Sequence, residues 1–314
     1  VQITMSIGSV ERETGLSKDT LRVWERRYGF PQPERDAAGE RAYSLDQVEK
    51  LRLLKRLLDQ GHRPSKVIGH AVSELRTLAG ETANGVPQDV DTVGEREDLL
   101  HYITLCKAYR FDEMRRALSQ ELLRLGLYRF VVDVIAPLNT MVGARWASGY
   151  FAVFEEHLYT ESVQIVMRNA IASIPQHFLG SAMRPRVLFT TFPQEQHGLG
   201  LLMAEAIFAL EGARCISLGV QTPITEIAKA AETQKVDIVA LSFSASMNAN
   251  HMAEGVRDLR ARIEQRVELW AGGGCVGLHR RPPSELRVLE LADIGNALTD
   301  WRSRCGTDIS VPAQ

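Results

Sequence analysis

The sequence predicts a multidomain chain with an α-type winged helix-turn-helix head, a four-helix bundle and an α/β doubly wound parallel sheet. Three observations carry that expectation. Near the start, two short helical stretches flank Thr14-Gly15-Leu16, a glycine-containing turn. From Asp98 to about Leu179, apolar residues recur three and four apart, as in Val132, Ile135, Leu138, Met141 and Val142, the pattern of packed helices. From Arg186 onward, apolar runs of strand length at 187–191, 214–218, 236–242 and 268–271 alternate with helical stretches at 198–211, 223–233 and 250–265. Alternation of this kind builds a parallel sheet covered on both faces. A last short strand is expected near 287–294.

The chain has 314 residues, 45% hydrophobic and 24% charged, the make-up of an ordinary folded protein of two or three domains. The boundaries expected are 1–78 for the head, 79–97 for a linker, 98–182 for the bundle and 183–303 for the Rossmann-like sheet domain. The linker is rich in Gly, Pro, Asp and Thr and lacks periodicity. Within the bundle, helices are expected at 99–109, 111–125, 128–145 and 150–174, with Pro137 kinking the third. No apolar run approaches the roughly 20 residues of a membrane span. No basic stretch followed by an apolar core opens the chain. The four cysteines are scattered and form no C-x-x-C pair, so neither a zinc site nor a disulfide framework is indicated. A cytoplasmic protein with no membrane association is expected. The net charge of −2 is uneven: residues 1–78 hold 14 Lys+Arg against 11 Asp+Glu, a surplus of +3, and the remainder carries −5. That permits nucleic-acid contact by the head.

In the head, Ser17 reads as the N-cap of a helix carrying Lys18, Thr20, Arg22 and Arg26. Long cations and a hydroxyl on one short helix suit the major groove. A solvated helix paired locally through Asp19 and Glu25 is the alternative. Leu21 faces inward, and Trp24 either packs beneath the helix or lies at its surface. Phe30-Pro31-Gln32-Pro33 ends the helix, a polar hairpin-like loop follows, and Ser44 caps a third helix with Val48, Leu51, Leu54, Leu57 and Leu58 on one face. The string L-R-V-W-E-R-R-Y-G-F-P-x-P-x-R, then G-E-R-x-Y, resembles the MerR family of transcription regulators over about the first 70 residues. The resemblance implies a recognition helix with Lys18, Thr20, Arg22 and Arg26, a phosphate-gripping wing with Arg35, Arg41 and Tyr43, and double-stranded operator DNA as partner. Metal-sensing members continue into a long coiled coil and a cysteine-bearing loop, and neither pattern follows here.

The first strand of the sheet leads into Glu195-Gln196-His197-Gly198-Leu199-Gly200. That loop lies at the carboxyl end of the sheet, where open α/β sheets hold ligands. His197 there is a plain loop side chain or a metal ligand. G-x-G-x-x-G is missing from this turn, which argues against a nicotinamide enzyme. E-x-H-x-x-G resembles the D-x-H-x-x-G signature of cobalamin-binding Rossmann domains. The resemblance implies that His197 is the lower ligand of the cobalamin cobalt and that Glu195 orients its ring. It also implies that Gly200 opens the helix, that Ser242 and Ser244 meet the nucleotide tail, and that Gly272 and Gly273 let the backbone approach that tail.

In the bundle, Trp146 precedes Glu156-His157 with nine residues between the Trp and the Glu. On one straight helix Trp146 and Glu156 would sit about 80° apart, but Ser148-Gly149 breaks the run and lets them converge. A packed Trp with a surface Glu-His pair is the bland alternative. W-x9-E-H resembles the adenosylcobalamin-dependent photoreceptor regulators of the CarH/LitR type. In them Trp, Glu and His surround the adenosyl group, light removes it, and the oligomer that binds DNA changes. The best-known members carry a second histidine directly after the Trp, and here that residue is Ala147. The reading is a non-enzymatic, light-responsive transcription regulator, usually a repressor in this family, using adenosylcobalamin and forming a dark homotetramer, with no partner protein evident. A light-independent cobalamin sensor and a corrinoid-carrying methyl-transfer module are the alternatives.

Overall fold

A computed structural model describes residues 4–36, 39–59, 62–78, 96–174 and 184–305. The expected linker falls almost wholly outside these residues, as does the end of the bundle at 175–182. The chain divides into two compact units, Val1–Arg96 with Met141–Val153, and Glu97–Thr140 with Phe154–Gln314.

In the first unit, β1 (Thr4–Ser6) leads into α1 (Ile7–Thr14) and α2 (Lys18–Tyr28). Ser6 and Ser17 accept the amides of Ser9 and Thr20, so each helix starts on a serine cap. Gly15 and Gly29 end them in the left-handed conformation, with φ of 70° and 68°, which a side chain would disfavour. β2 (Glu34–Arg35) and β3 (Arg41–Ser44) form the wing, and β3 pairs antiparallel with both β1 and β2. The chain then enters α3 (Leu45–Asp59), α4 (Pro64–Val67) and α5 (Val72–Leu78). Val48, Leu51, Leu54 and Leu57 close a core with Val10, Leu21, Trp24 and Tyr43. Each such leucine contributes about 2 kcal/mol by leaving water. Trp24 is therefore a core residue.

The second unit starts with α6 (Leu100–Lys107) and α7 (Phe111–Leu125). The third bundle helix comprises α8 (Leu127–Arg129), a π-helical segment Phe130–Ile135, and α9 (Ala136–Ala147), whose last residues belong to the first unit. Pro137 has no N–H for the carbonyl four residues back, and the helix widens just before it, where a simple kink was expected. The run Leu127–Trp146 is 20 residues long with a mean hydropathy of 1.2, long and apolar enough to cross a membrane, contrary to the sequence expectation. Phe130, Val131, Val134, Ile135 and Leu138 are nevertheless buried within protein, and the surface pair Arg129–Asp133 sits on the same run. α10 (Val153–Ala172) completes the bundle.

The sheet domain runs β4 (Arg186–Thr190), α11 (Leu199–Leu210), β5 (Arg214–Gly219), α12 (Ile224–Thr233), β6 (Ile238–Ser242), α13 (Ala249–Arg262), β7 (Glu268–Gly272), α14 (Val276–Arg280), β8 (Leu286–Val288) and α15 (Ile294–Cys305). The strands lie in the order β5-β4-β6-β7-β8, all parallel. β6 is buried along its whole length, as a central strand of a doubly covered sheet must be. The last strand ends at Val288, and residues 291–294 turn into α15 where strand was expected. α15 lays Leu298 and Trp301 into the interior.

Candidate functional site

The carboxyl ends of the neighbouring parallel strands β4, β6 and β7 lie side by side at one edge of the sheet. Out of β4, Thr191 Oγ1 donates to the Glu195 carbonyl at 2.6 Å, which folds the loop back on itself. Glu195 is 1% exposed. One carboxylate oxygen accepts the His197 amide at 2.9 Å and the His197 ring Nδ1 at 2.6 Å. The other accepts the Ser244 amide at 2.7 Å and the Ser244 hydroxyl at 2.8 Å. Burial alone would raise this carboxyl, but the bonds from His197 and Ser244 outweigh it and hold the group below the usual carboxylate range. The His197 side chain is 51% exposed. With Nδ1 engaged by a carboxylate, its Nε2 carries the lone pair that can ligate a metal.

The glycines mark where the loops pack too closely for a side chain. A Cβ on Gly200 would lie 2.8 Å from the Ser242 hydroxyl, and one on Gly272 would lie 2.8 Å from the Leu289 carbonyl. Gly273 has a φ of +113°, and a Cβ there would stand 2.3 Å from the Phe243 carbonyl. The β6 and β7 loops are laced together, since Phe243 N donates to Gly272 O and Cys275 N to Phe243 O. Cys275 is buried beside them. Ser242 is also buried, and Ser244, in the loop after β6, braces Glu195. The sequence holds no local signal for that pairing.

On α10, Glu156 is half-buried and His157 exposed, with His157 Nε2 3.7 Å from the Glu156 carboxylate. Thr160 Oγ1 donates to Glu156 Oε1 at 2.7 Å. Sequence reasoning missed Thr160, though its place one turn beyond Glu156 was a usable signal. Trp146 is half-buried near the end of α9, in the first unit. Among the described residues no group of three or more His, Cys, Asp and Glu side chains could hold a metal ion.

On the head, Lys18, Arg22 and Arg26 are exposed on α2 and Thr20 is half-buried. Lys18 lies 3.5 Å from Glu11, and Arg22 is 3.2 Å from Asp19, exposed pairs that a phosphate can displace. Arg35 donates to the Gly39 carbonyl and shapes the wing. Arg41 pairs with Glu25 at 2.8 Å, which ties the wing to α2. Tyr43 requires a correction. It is 0% exposed, because β3 turns this residue into the core beneath α2, so its ring cannot lie on DNA as the wing assignment requires.

A winged helix-turn-helix head joined to a carboxylate-braced histidine on a parallel sheet defines a DNA-binding regulator with a ligand domain. Residues 5–70 match the MerR HTH family regulatory protein model, and residues 96–170 and 185–295 match two B12 binding domain models. The chain is 30% identical over 97% of its length, and 99% of the relative's, to the HTH-type transcriptional repressor CarH of Myxococcus xanthus. It is 28% identical to the HTH-type transcriptional repressor CarA of the same organism, over 82% of this chain and 83% of that one. Among solved structures, the monomethylamine corrinoid protein of Methanosarcina barkeri aligns at 13% identity and a TM-score of 0.49, over 65% of this chain and 96% of that chain. The protein belongs to the CarH family of MerR-type regulators with B12-binding domains. That membership places it among transcriptional regulators and not among enzymes.

The residues fit a corrinoid. The site combines one carboxylate-oriented imidazole, the kind of single nitrogen donor a corrinoid cobalt takes, with a buried hydroxyl at Ser242.

Proposed function

We propose that this protein is a cytoplasmic, light-responsive transcriptional repressor that binds operator DNA through its head under control of bound adenosylcobalamin. One observation carries the reading: the buried Glu195 carboxylate grips His197 Nδ1 and the Ser244 loop together at the carboxyl end of the sheet. His197 would offer Nε2 to the cobalt, with Glu195 on Nδ1 setting the tautomer and ring angle. Ser242 and the backbone at Gly272 and Gly273 receive the nucleotide tail, with Gly200 leaving room at the helix start. Glu156 and His157 would meet the adenosyl group, with Thr160 holding the Glu156 carboxylate in place, and Trp146 is assigned to the same group by the W-x9-E-H resemblance. When bound, adenosylcobalamin supplies a cobalt–carbon bond that green or blue light breaks.

The head then changes its hold on DNA through a population shift, since a ligand acts only by its different affinity for two arrangements. One small winged head makes few contacts, so several must act together. A dark homotetramer built from dimers meets that need. Lys18, Thr20, Arg22 and Arg26 enter the groove, and Arg35 and Arg41 face phosphates beside it.

A second reading is favoured by Ala147, which stands where the best-known light sensors carry a histidine. Without that ligand the protein can sense cobalamin independently of light. A methyl-carrier role leaves the MerR-type head without a purpose.

The test is the absorption spectrum of the protein mixed with adenosylcobalamin in the dark, before and after green light, with DNA retardation in each state. Histidine-ligated cobalamin that changes on illumination, with DNA binding changing in step, is the expected result. Bound but light-inert cobalamin selects the second reading. An unchanged spectrum in His197→Ala refutes the site.

A further inference from the structure

The third helix of the bundle carries a feature that cofactor binding by itself does not need. Six residues, Phe130–Ile135, are π-helical, and the Ala136 amide donates to the Val131 carbonyl five residues back. π turns are rare and gather at functional sites, because the extra residue must be held by something beyond local preference. Its geometric effect is on register: one extra residue turns everything after it by roughly 100° relative to an unbroken α-helix.

In the register observed, Asn139 is half-buried and engages two neighbours at once. The Tyr159 hydroxyl on α10 donates to Asn139 Oδ1 at 2.5 Å. Asn139 Nδ2 in turn donates to the Met203 sulfur on α11 at 3.8 Å. Tyr159 is 2% exposed and Met203 9%, so the chain of contacts is interior, and burial raises the Tyr159 phenol well above its ordinary value. Each partner stands close in sequence to a site residue. Tyr159 follows Glu156 by less than one turn on α10. Met203 lies one turn past Gly200 on the helix that His197 leads into. Asn139 is on α9, the helix that carries Trp146 near its end.

We propose that Asn139 is a positioning residue that couples the bundle to helix α11, with the π-helical segment fixing it in register. The proposal rests on the cobalamin reading above. A single planar amide offers one acceptor edge and one donor edge, so it can bridge two helices only in one relative placement. A shift of α9 or α10 against α11 breaks one of the two contacts and leaves a buried polar group wanting a partner. Packed elements joined in this way have discrete arrangements and do not slide continuously. A change at the upper face thereby reaches the helix behind His197.

The test uses the full-length chain with Asn139→Leu, Tyr159→Phe and both together. Three quantities are read: hydrogen exchange of α11 amides without cofactor, the dark dissociation constant for adenosylcobalamin, and the ratio of affinities with and without adenosylcobalamin for a duplex selected by the wild-type chain. In each single variant, α11 amides should exchange about fivefold faster while α2 and α3 are unchanged. Adenosylcobalamin should bind within about threefold of wild type, and the DNA ratio should fall to within about twofold of one. The double variant should add little to either single variant, since both substitutions break the same joint.

Unchanged α11 exchange, or a full wild-type DNA response in the variants, overturns the proposal. A residue of merely structural importance would lower the melting temperature and leave that ratio alone. If Asn139→Leu does not fold, Tyr159→Phe decides alone, since it removes one hydroxyl. A wild-type chain whose DNA affinity ignores adenosylcobalamin overturns the cobalamin reading and the coupling with it. A wild-type response that the variants keep overturns the coupling only.

Discussion

Replacing Glu195 with glutamine isolates what the buried carboxylate does. The carboxylate accepts four hydrogen bonds, two from His197 and two from Ser244. Glutamine keeps one accepting oxygen and presents an NH2 on the other side. The Ser244 hydroxyl can rotate to accept from that NH2, but the Ser244 amide cannot. The variant therefore loses one acceptor for a main-chain N–H, together with charge assistance to the bonds that remain. Charge-assisted bonds are worth about 1.5–3 kcal/mol each, and relief from burying a charge offsets part of the loss. Groups that orient a metal-ligating histidine typically cost 10- to 100-fold in affinity when altered, or about 1.4–2.7 kcal/mol. Glu195→Gln should therefore weaken adenosylcobalamin binding by about that range, measured by titration of the absorption spectrum in the dark. Its fold, followed by far-ultraviolet circular dichroism, should be retained. Affinity within about twofold of wild type and an unaltered histidine-ligated spectrum would refute the assignment of Glu195 as the group that orients the ligand.

Three further outcomes are expected. The Glu195 carboxyl is held below its ordinary range in the fold, so its stabilisation is complete above the usual carboxylate value and is lost as pH falls through the lowered one. Wild-type melting temperature should therefore drop more steeply below about pH 5 than that of Glu195→Gln, and parallel curves would contradict this. Gly273→Ala combines a left-handed φ with a Cβ 2.3 Å from the Phe243 carbonyl. It should destabilise the sheet domain by about 1–3 kcal/mol or more in urea unfolding, and an unchanged midpoint would show that the loop yields freely. Arg26→Ala should weaken operator binding, lowering the salt slope by about one if Arg26 meets a phosphate or relaxing one base preference by about 1–3 kcal/mol if it meets a base. Unaltered affinity at every salt concentration would remove Arg26 from the interface.

Much of the head was legible because its signals are local. Ser17 as a cap, Gly15 as a helix end and the leucine stripe of α3 each act within a few residues. The sheet strands were equally plain, since β4, β6 and β7 are buried on both faces and read as continuous apolar runs. Tyr43 was misjudged because a motif position states which residue is present and not which way β3 turns it. The π-helical segment was invisible for a related reason. Pro137 announces a disturbance, but whether the helix kinks or widens depends on what packs around it.

What the sequence determined by itself was the order of the three parts, the caps and turns that bound their elements, and the place of His197 at a strand end. Those follow from backbone preference and hydrophobic period over short spans. Only the tertiary structure decided that Ser244, 49 residues from Glu195, shares its carboxylate with His197, that Tyr43 is inside, and that Asn139 meets Tyr159 and Met203. Such pairings depend on which surfaces meet when β6 docks beside β4 and the bundle helices set their register. That outcome is fixed by burial and by satisfying every buried polar group at once.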